Sequence, residues 1–363
     1  VRQVKDVDVV VGAGLLRALT HLALPAVGSM LLNTAFGIVD TFWVGRLGAD
    51  AVASMSAASY FLWSLFALVS LVSVGTHAHV ARRAGERRFG LAGQAAGEGL
   101  LLCVPVSVVA IAFYMAVAPA AFGFMGTEGA VLAMARAYLD MVLVGTPVTL
   151  LFMVVCAVFQ ATGDTRTPFW LLAVGFVVNV ALDPVLIFGP GPLPALGLRG
   201  AALATVGSQA LGAAPGLAIL IRRRLISLPR PLLGTRSLSI LGIGLPKFLE
   251  GFLFCVVYVF LVRILLPHGV SGLAALGVGH RLEGLTYMMA LGFSHASAAL
   301  VGQSLGAGKP ERAARGAWLA VSLVGAAALV VTALFVLVPR PLIGAFVDDP
   351  ETVADGALYL RIV

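Results

Sequence analysis

Asp40 stands inside an apolar run that begins near His21 and continues beyond it through Phe42, Trp43 and Val44. A carboxylate within a membrane span is costly and usually faces a bundle interior or a watery cavity, so Asp40 is by default a functional candidate. A second carboxylate, Asp183, lies in another apolar run with Asn179 four residues before it, a spacing that puts both on one face of a helix. If the spans alternate in direction, Asp40 and Asp183 lie near the outer ends of outward-running helices. Thr205 then lies about a turn and a half into the next, inward-running one. All four can meet at one depth. Two carboxylates, an amide carbonyl and a hydroxyl are hard oxygen ligands that suit a small cation, and two neighbouring carboxylates also suit a shared proton. Oxygen ligands alone do not separate the two ions. The plainer alternatives are an interfacial position for each carboxylate and interhelical hydrogen bonding for Asn179 and Thr205.

The elements that must position these residues are legible from composition. Apolar residues make up 60% of the chain and charged residues 11%, and the mean hydropathy is +1.01. A soluble globule carries a charged fraction near a quarter, so this is an integral membrane protein. The apolar runs are too long and uniform for the alternating strands of an outer-membrane barrel. At roughly 20 residues per crossing, 363 residues hold about ten helical spans. The net charge of +7 does not point to nucleic acid, because the basic residues sit in loops without aromatic interleaving. Cys103, Cys156 and Cys255 lie in apolar runs without metal-ligand spacing and read as small buried hydrophobes. No cleavable signal peptide is evident over Val1 to Arg17.

The runs predict spans at 20–44, 52–80, 92–119, 131–158, 167–189, 199–221, 238–266, 273–302 and 314–346, with the chain stopping just inside a further one. Basic clusters (Arg82, Arg83, Arg87 and Arg88; Arg166; Arg222 to Arg224, Arg230 and Arg236; Lys309, Arg312 and Arg315) occupy every second loop. The positive-inside rule makes those loops and the N-terminus cytoplasmic. An internal repeat pairs Leu24-Pro25 with Leu245-Pro246, and Ala137-Tyr138-Leu139 with Leu358-Tyr359-Leu360. Two lobes of like orientation follow, related by a pseudo-two-fold along the membrane normal. The expected fold class is all-α: a polytopic helical membrane protein of two six-helix lobes, with an N-lobe at 1–221, a cytoplasmic linker at 222–236 and a C-lobe at 237–363. The second lobe is expected to be incomplete, with about nine or ten of twelve helices present.

At this point the residues resemble a known family. Pro25, the Asp40 stretch ending Val44-Gly45-Arg46-Leu47-Gly48, then Gly163-Asp164-Thr165-Arg166-Thr167-Pro168 and Gly302-Gln303-Ser304-Leu305-Gly306-Ala307-Gly308 together look like the multidrug and toxic compound extrusion (MATE) transporters, closest to the DinF-like bacterial and archaeal branch. The resemblance implies a V-shaped antiporter of the inner (plasma) membrane, not an enzyme, that exports bulky and often cationic organic compounds in exchange for Na+ or H+. It further implies that Asp40, Asn179, Asp183 and Thr205 form the cation-binding site, a metal site if the ion is Na+. No cofactor, no nucleic acid and a monomer are expected; the partners are an amphipathic small molecule and the bilayer.

Pro25, about four turns before Asp40, removes a backbone hydrogen bond and permits a helix bend responsive to the ion. Asn33 and Phe36 share the helical face of Asp40, and with Arg281 they are candidates to line the substrate cavity; helix packing is the alternative. Lys247 with Glu250, and Arg281 with Glu283, pair opposite signs in the second lobe, for charge-paired packing or for a role in binding. The repeat sets Leu261 opposite Asp40. A lipid-linked oligosaccharide flippase of related fold would favour a strongly cationic cavity, and a membrane-embedded enzyme leaves the two-lobe repeat unexplained.

Overall fold

The structure, a computed structural model, describes residues 2–189, 194–229, 234–265, 270–344 and 350–362; within these, the side chains of residues 2–6, 258–259, 262–263, 265, 270–275, 277–278, 281, 285 and 351 fall outside the described residues. The elements are α1 (Arg2–Gly12), α2 (Leu15–Gly45), α3 (Ala49–Gly85), α4 (Phe89–Phe124), α5 (Gly129–Ala161), α6 (Arg166–Phe188), α7 (Leu198–Arg222), α8 (Thr235–Leu265), α9 (Val270–Gly306), α10 (Pro310–Leu337), α11 (Pro339–Gly344) and α12 (Pro350–Ile362). Among the described residues nine of these are long and apolar enough to cross a membrane. Their exposed surface is rich in large apolar side chains such as Leu24, Val144, Trp170, Trp318 and Leu329, as a lipid-facing surface is.

The expected tally of about nine or ten helices is corrected: the described residues form twelve. Two physical causes account for the difference. α1 is short and charged, so a count of apolar runs passes over it. The run expected to be one span at 314–346 breaks after Leu337, because Pro339 and Pro341 supply no backbone N–H, and α11 begins there as a separate short helix.

Packing centres on α3, which lies along α4, α5, α8 and α9, while α2 lies between α6 and α9 and α7 joins α5 to α6. The largest buried cluster draws Val72, Val80, Leu102, Leu150, Phe159, Leu220 and Ile240 from five helices. Contacts between the α2–α7 helices and α8–α9 are closest toward the end that carries the Arg-rich turns. A methyl group on Gly306 would overlap the Arg82 carbonyl, and one on Gly75 would overlap the Ile240 carbonyl. Glycine permits backbones to approach this closely. The Gln303 side chain, fully buried, donates from Nε2 to the Ala161 carbonyl at 2.8 Å across the same seam.

The Arg-rich end is also laced by ions. Arg223 donates to Asp164 Oδ2 at 2.7 Å, and the Thr167 amide and hydroxyl donate to the same carboxylate at 2.9 and 2.6 Å, which caps α6. Burial of Asp164 works against its charge, but the bonds from Thr167 and Arg223 outweigh it and hold the carboxyl below its usual range. Glu86, closing α3, takes a 2.8 Å bond from Arg83 that likewise holds its carboxyl low. α1 is clasped from both sides. Its Asp8 meets Arg87 at 2.7 Å, and Arg312 of α10 donates to the Val10 and Ala13 carbonyls, each at 2.7 Å. Val10 itself is buried beside Leu19, Ala296 and Leu300.

Candidate functional site

Each side chain of the candidate site arrives on a long helix. Asp40 occupies the last turns of α2, Asn179 and Asp183 share one face of α6, and Thr205 lies in the first turns of α7. α6 packs on both α2 and α7, which brings the three together. Asp40 is 7% exposed, and Asn179 and Asp183 are fully buried. Thr205 Oγ1 donates to Asp40 Oδ2 at 3.2 Å, an alternative to its bond to the Ala201 carbonyl at 3.1 Å. Asn179 Nδ2 lies 3.4 Å from Asp183 Oδ1. The Asp40 and Asp183 carboxyls are themselves within hydrogen-bond reach of each other. Two ionised carboxylates repel at that separation, so the approach calls for a proton on one of them or a cation between them.

Three oxygens complete the picture. Asp40 Oδ1, Asp183 Oδ2 and Asn179 Oδ1 are buried and have no hydrogen-bond partner. All three are acceptors, and neither carboxylate has an ion-pair partner among the described residues. Unmade bonds of this kind are expensive, and they are of the single type that a proton or a small hard cation satisfies. No group of three or more His, Cys, Asp or Glu side chains able to hold a metal gathers among the described residues. The donor set is therefore mixed: carboxylate, amide and hydroxyl.

The other candidates fall as follows. Pro25 lies within α2, its carbonyl taking a 3.0 Å bond from Ser29 Oγ. Phe36 meets Phe176 of α6 edge to face at 5.2 Å, one turn from Asn179, so it packs beside the site. Asn33 is half-buried on the same helix. The Arg281 side chain lies outside the described residues. Lys247 and Glu250 do pair, at 2.7 Å, and Glu283 lies 3.9 Å from His280.

Sequence reasoning passed over Tyr138. This α5 residue is buried and close enough to both Asp40 and Asp183 to act on them electrostatically. The signal lies in the repeat, where Tyr138 is the centre of Ala137-Tyr138-Leu139 and Tyr359 of Leu358-Tyr359-Leu360.

The chain matches the family described as MatE over residues 25–185 and 246–363, so the match takes in the Asp40, Asn179 and Asp183 positions. It belongs to the MatE family. A probable multidrug resistance protein NorM of Thermotoga maritima is 28% identical over 353 residues, 96% of this chain and 75% of the relative. A probable multidrug resistance protein NorM of Deinococcus radiodurans is 32% identical over 92% of this chain and 74% of its own length. A protein named as a FAD transporter, from Shewanella oneidensis, is 26% identical over 99% and 80%. Among solved structures, the outward-facing conformation of a multidrug resistance MATE family transporter of the MOP superfamily matches with a TM-score of 0.89 at 24% identity, covering 98% of this chain and 80% of that one. Against the expectation of nine or ten helices, the described residues form twelve, and they share the fold of that transporter over 98% of this chain. As a MatE protein, the chain is a secondary active transporter of the membrane, and its activity is transport rather than catalysis.

Proposed function

We propose that this MatE protein exports bulky amphipathic compounds, organic cations among them, against an inward flow of Na+ or H+ that binds at Asp40, Asn179, Asp183 and Thr205. The observation that carries the reading is the set of three buried acceptor oxygens on Asp40, Asp183 and Asn179 that lack a donor. A coupling ion must bind where its loss is costly, and these oxygens make the empty and filled states unequal in energy. Thr205 donates to Asp40, and the buried Tyr138 lies close enough to both carboxylates to act on them electrostatically.

In this reading the Arg-rich turns face the cytoplasm by the positive-inside rule, with the N-terminus on the same side, in the inner membrane of the cell. Residues 1–221 form the N-lobe, 222–236 the linker and 237–363 the C-lobe, in one monomer. Pro25 gives α2 a point of bending between the site and that face, and Asn33 and Phe36 line the path of the substrate; Arg281 is its counterpart in the second lobe. The names of relatives as multidrug resistance proteins support the substrate class.

Efflux of a fluorescent cationic dye from reconstituted vesicles, with Na+ and H+ gradients imposed one at a time, tests the reading. One gradient drives efflux by the wild type, and Asp40→Asn removes that dependence. Equal transport by the variant under both gradients overturns the assignment of Asp40, and unchanged transport by Pro25→Ala overturns the bending role.

A further inference from the structure

The Arg-rich ends of α3 and α7 differ in what their arginines meet. At the end of α3, Arg82, Arg83 and Arg88 lie 3.7, 2.8 and 3.7 Å from Glu86, and Arg87 meets Asp8 at 2.7 Å, so each of the four has a carboxylate. At the end of α7, Arg222, Arg223 and Arg224 follow one another, and Arg223 takes Asp164 at 2.7 Å. Arg222 and Arg224 are exposed and have no ion-pair partner among the described residues. Arg224 also holds a backbone conformation, φ 54°, that glycine ordinarily supplies after a helix. Arg87 leaves α3 in the same conformation, at φ 56°, and there its side chain grips Asp8.

Asp164 brings a further arginine to the same place. Its carboxylate takes bonds from Arg223 of α7 and from Thr167 of α6, which fixes the start of α6 against the end of α7. Arg166, one residue before Thr167, is exposed and likewise has no ion-pair partner among the described residues. Four arginines thus gather about one carboxylate. From this point the two helices run antiparallel, with Gly212 and Gly216 of α7 against Leu171 of α6, and each carries an exposed stripe. On α6 the stripe is Arg166, Trp170, Val174 and Val177; on α7 it is Arg222, Ala218, Pro215 and Leu211. Apart from the arginine that heads it, each stripe is apolar and suits acyl chains. Trp170, 65% exposed, stands one turn, about 6 Å, deeper than Arg166. Indole rings favour that level, the border between headgroups and hydrocarbon.

We propose that Arg166, Arg222 and Arg224, with Trp170 one turn below, bind an anionic phospholipid. The lipid phosphate accepts from the guanidinium N–H groups, whose planar forks match phosphate oxygens, and its acyl chains lie along the two stripes. Net charge on the headgroup decides selection. Phosphatidylethanolamine sets an ammonium beside its phosphate, which the uncompensated arginines repel; phosphatidylglycerol does not. The lipid spans α6, which carries Asn179 and Asp183, and α7, which carries Thr205, so it steadies the two helices that supply three of the four candidate ion-site residues.

Native mass spectrometry of the purified full chain tests this, with phosphatidylglycerol or phosphatidylethanolamine of the same acyl chains titrated in detergent. No ion gradient or exported compound is involved, so the outcome is independent of whether Asp40 couples transport. The wild type takes one phosphatidylglycerol about tenfold or more tightly than phosphatidylethanolamine, the scale for several basic residues at an anionic headgroup. The triple variant Arg166→Gln, Arg222→Gln, Arg224→Gln binds the two lipids equally. The same loss of charge elsewhere, in Arg82→Gln, Arg88→Gln, Arg315→Gln, keeps the preference. A second measurement needs no charge variant. Phosphatidylglycerol brominated on its acyl chains quenches the wild-type tryptophan emission more than that of Trp170→Phe, whereas brominated phosphatidylethanolamine quenches the two alike. Equal binding of both lipids by the wild type overturns the proposal, as does loss of the preference in both triple variants or quenching indifferent to Trp170. Displacement of phosphatidylglycerol by an equal concentration of inorganic phosphate overturns it too, by showing a site for a free anion.

Discussion

Two tyrosines 221 positions apart in the repeat, Tyr138 and Tyr359, each stand beside carboxylates, and the carboxylates differ. Beside Tyr138, Asp40 and Asp183 crowd together with no base near them and with oxygens unsatisfied. Beside Tyr359, Glu283 has His280 three residues back, and further along the same wall Glu250 has Lys247. Asp40 and Asp183 share one buried site without a cationic partner, whereas Glu250 has Lys247 at 2.7 Å and Glu283 lies 3.9 Å from a histidine ring. An uncompensated buried acid is a vacancy for a cation, so its free energy depends on what occupies it. A compensated one is already complete, and its removal is felt as lost stability or altered recognition.

That contrast can be broken most severely at Asp40. Asp40→Asn and Asp183→Asn each reduce gradient-driven dye efflux in vesicles to the level of passive leak, while the Tm of the purified protein stays the same or rises, because an unsatisfied carboxylate has been removed. A fall in Tm with coupling intact would place Asp40 among the structural acids. The reciprocal change, Leu261→Asp, puts a carboxylate at the repeat position of Asp40 and yields no second ion dependence in the same vesicles, since a lone carboxylate lacks the amide and hydroxyl that Asn179 and Thr205 bring to the first site.

Asp164 offers the opposite extreme. It is compensated by Arg223 and Thr167, so Asp164→Ala lowers stability by about 3 kcal/mol, read as a drop in Tm, with efflux per folded molecule unchanged. The sign of its pH dependence follows from a carboxyl held low in the folded protein. Its contribution is complete above the unfolded-state value and is lost as pH falls through the folded one. Tm profiles taken downward from pH 6 therefore show an acid limb that Asp164→Asn flattens. The smallest effect sits on the tyrosines. Tyr138→Phe removes a buried hydroxyl close to both carboxylates and shifts the coupling-ion dependence of efflux by about severalfold, and Tyr359→Phe leaves it in place.

How much of this was legible follows the same division. Asp40, Asn179, Asp183 and Thr205 could be read because each is an unusual residue in an apolar run, and helical spacing with alternating span direction fixes depth. The spans at α2 to α8 were legible to within several residues for the same reason: length and hydropathy are summed over many positions. The split of α10 from α11 was carried by two prolines that a hydropathy sum does not register. Tyr138 escaped because a tyrosine in a span is unremarkable until its neighbours are known, and the clasp on α1 because Arg312 acts through backbone carbonyls, which have no residue identity. The glycine contacts were hidden likewise. Gly75 and Gly306 are two of 42 glycines, and only the opposing carbonyls at Ile240 and Arg82 distinguish them.

The carbonyls of Val10 and Ala13 are the open end of a helix, and they find their donor in Arg312, 302 and 299 positions later. A chain made from its N-terminus must therefore synthesise nearly the whole of the described protein before that helix end is closed. Until then α1 has only water for those acceptors, and two valines, Val7 and Val10, awaiting burial. The contact that finishes α1 is thus among the last to form, and it reports that α10 has arrived against α2 and α9. Protection of the α1 terminus from exchange or proteolysis is, in consequence, a proofreading mark of complete assembly.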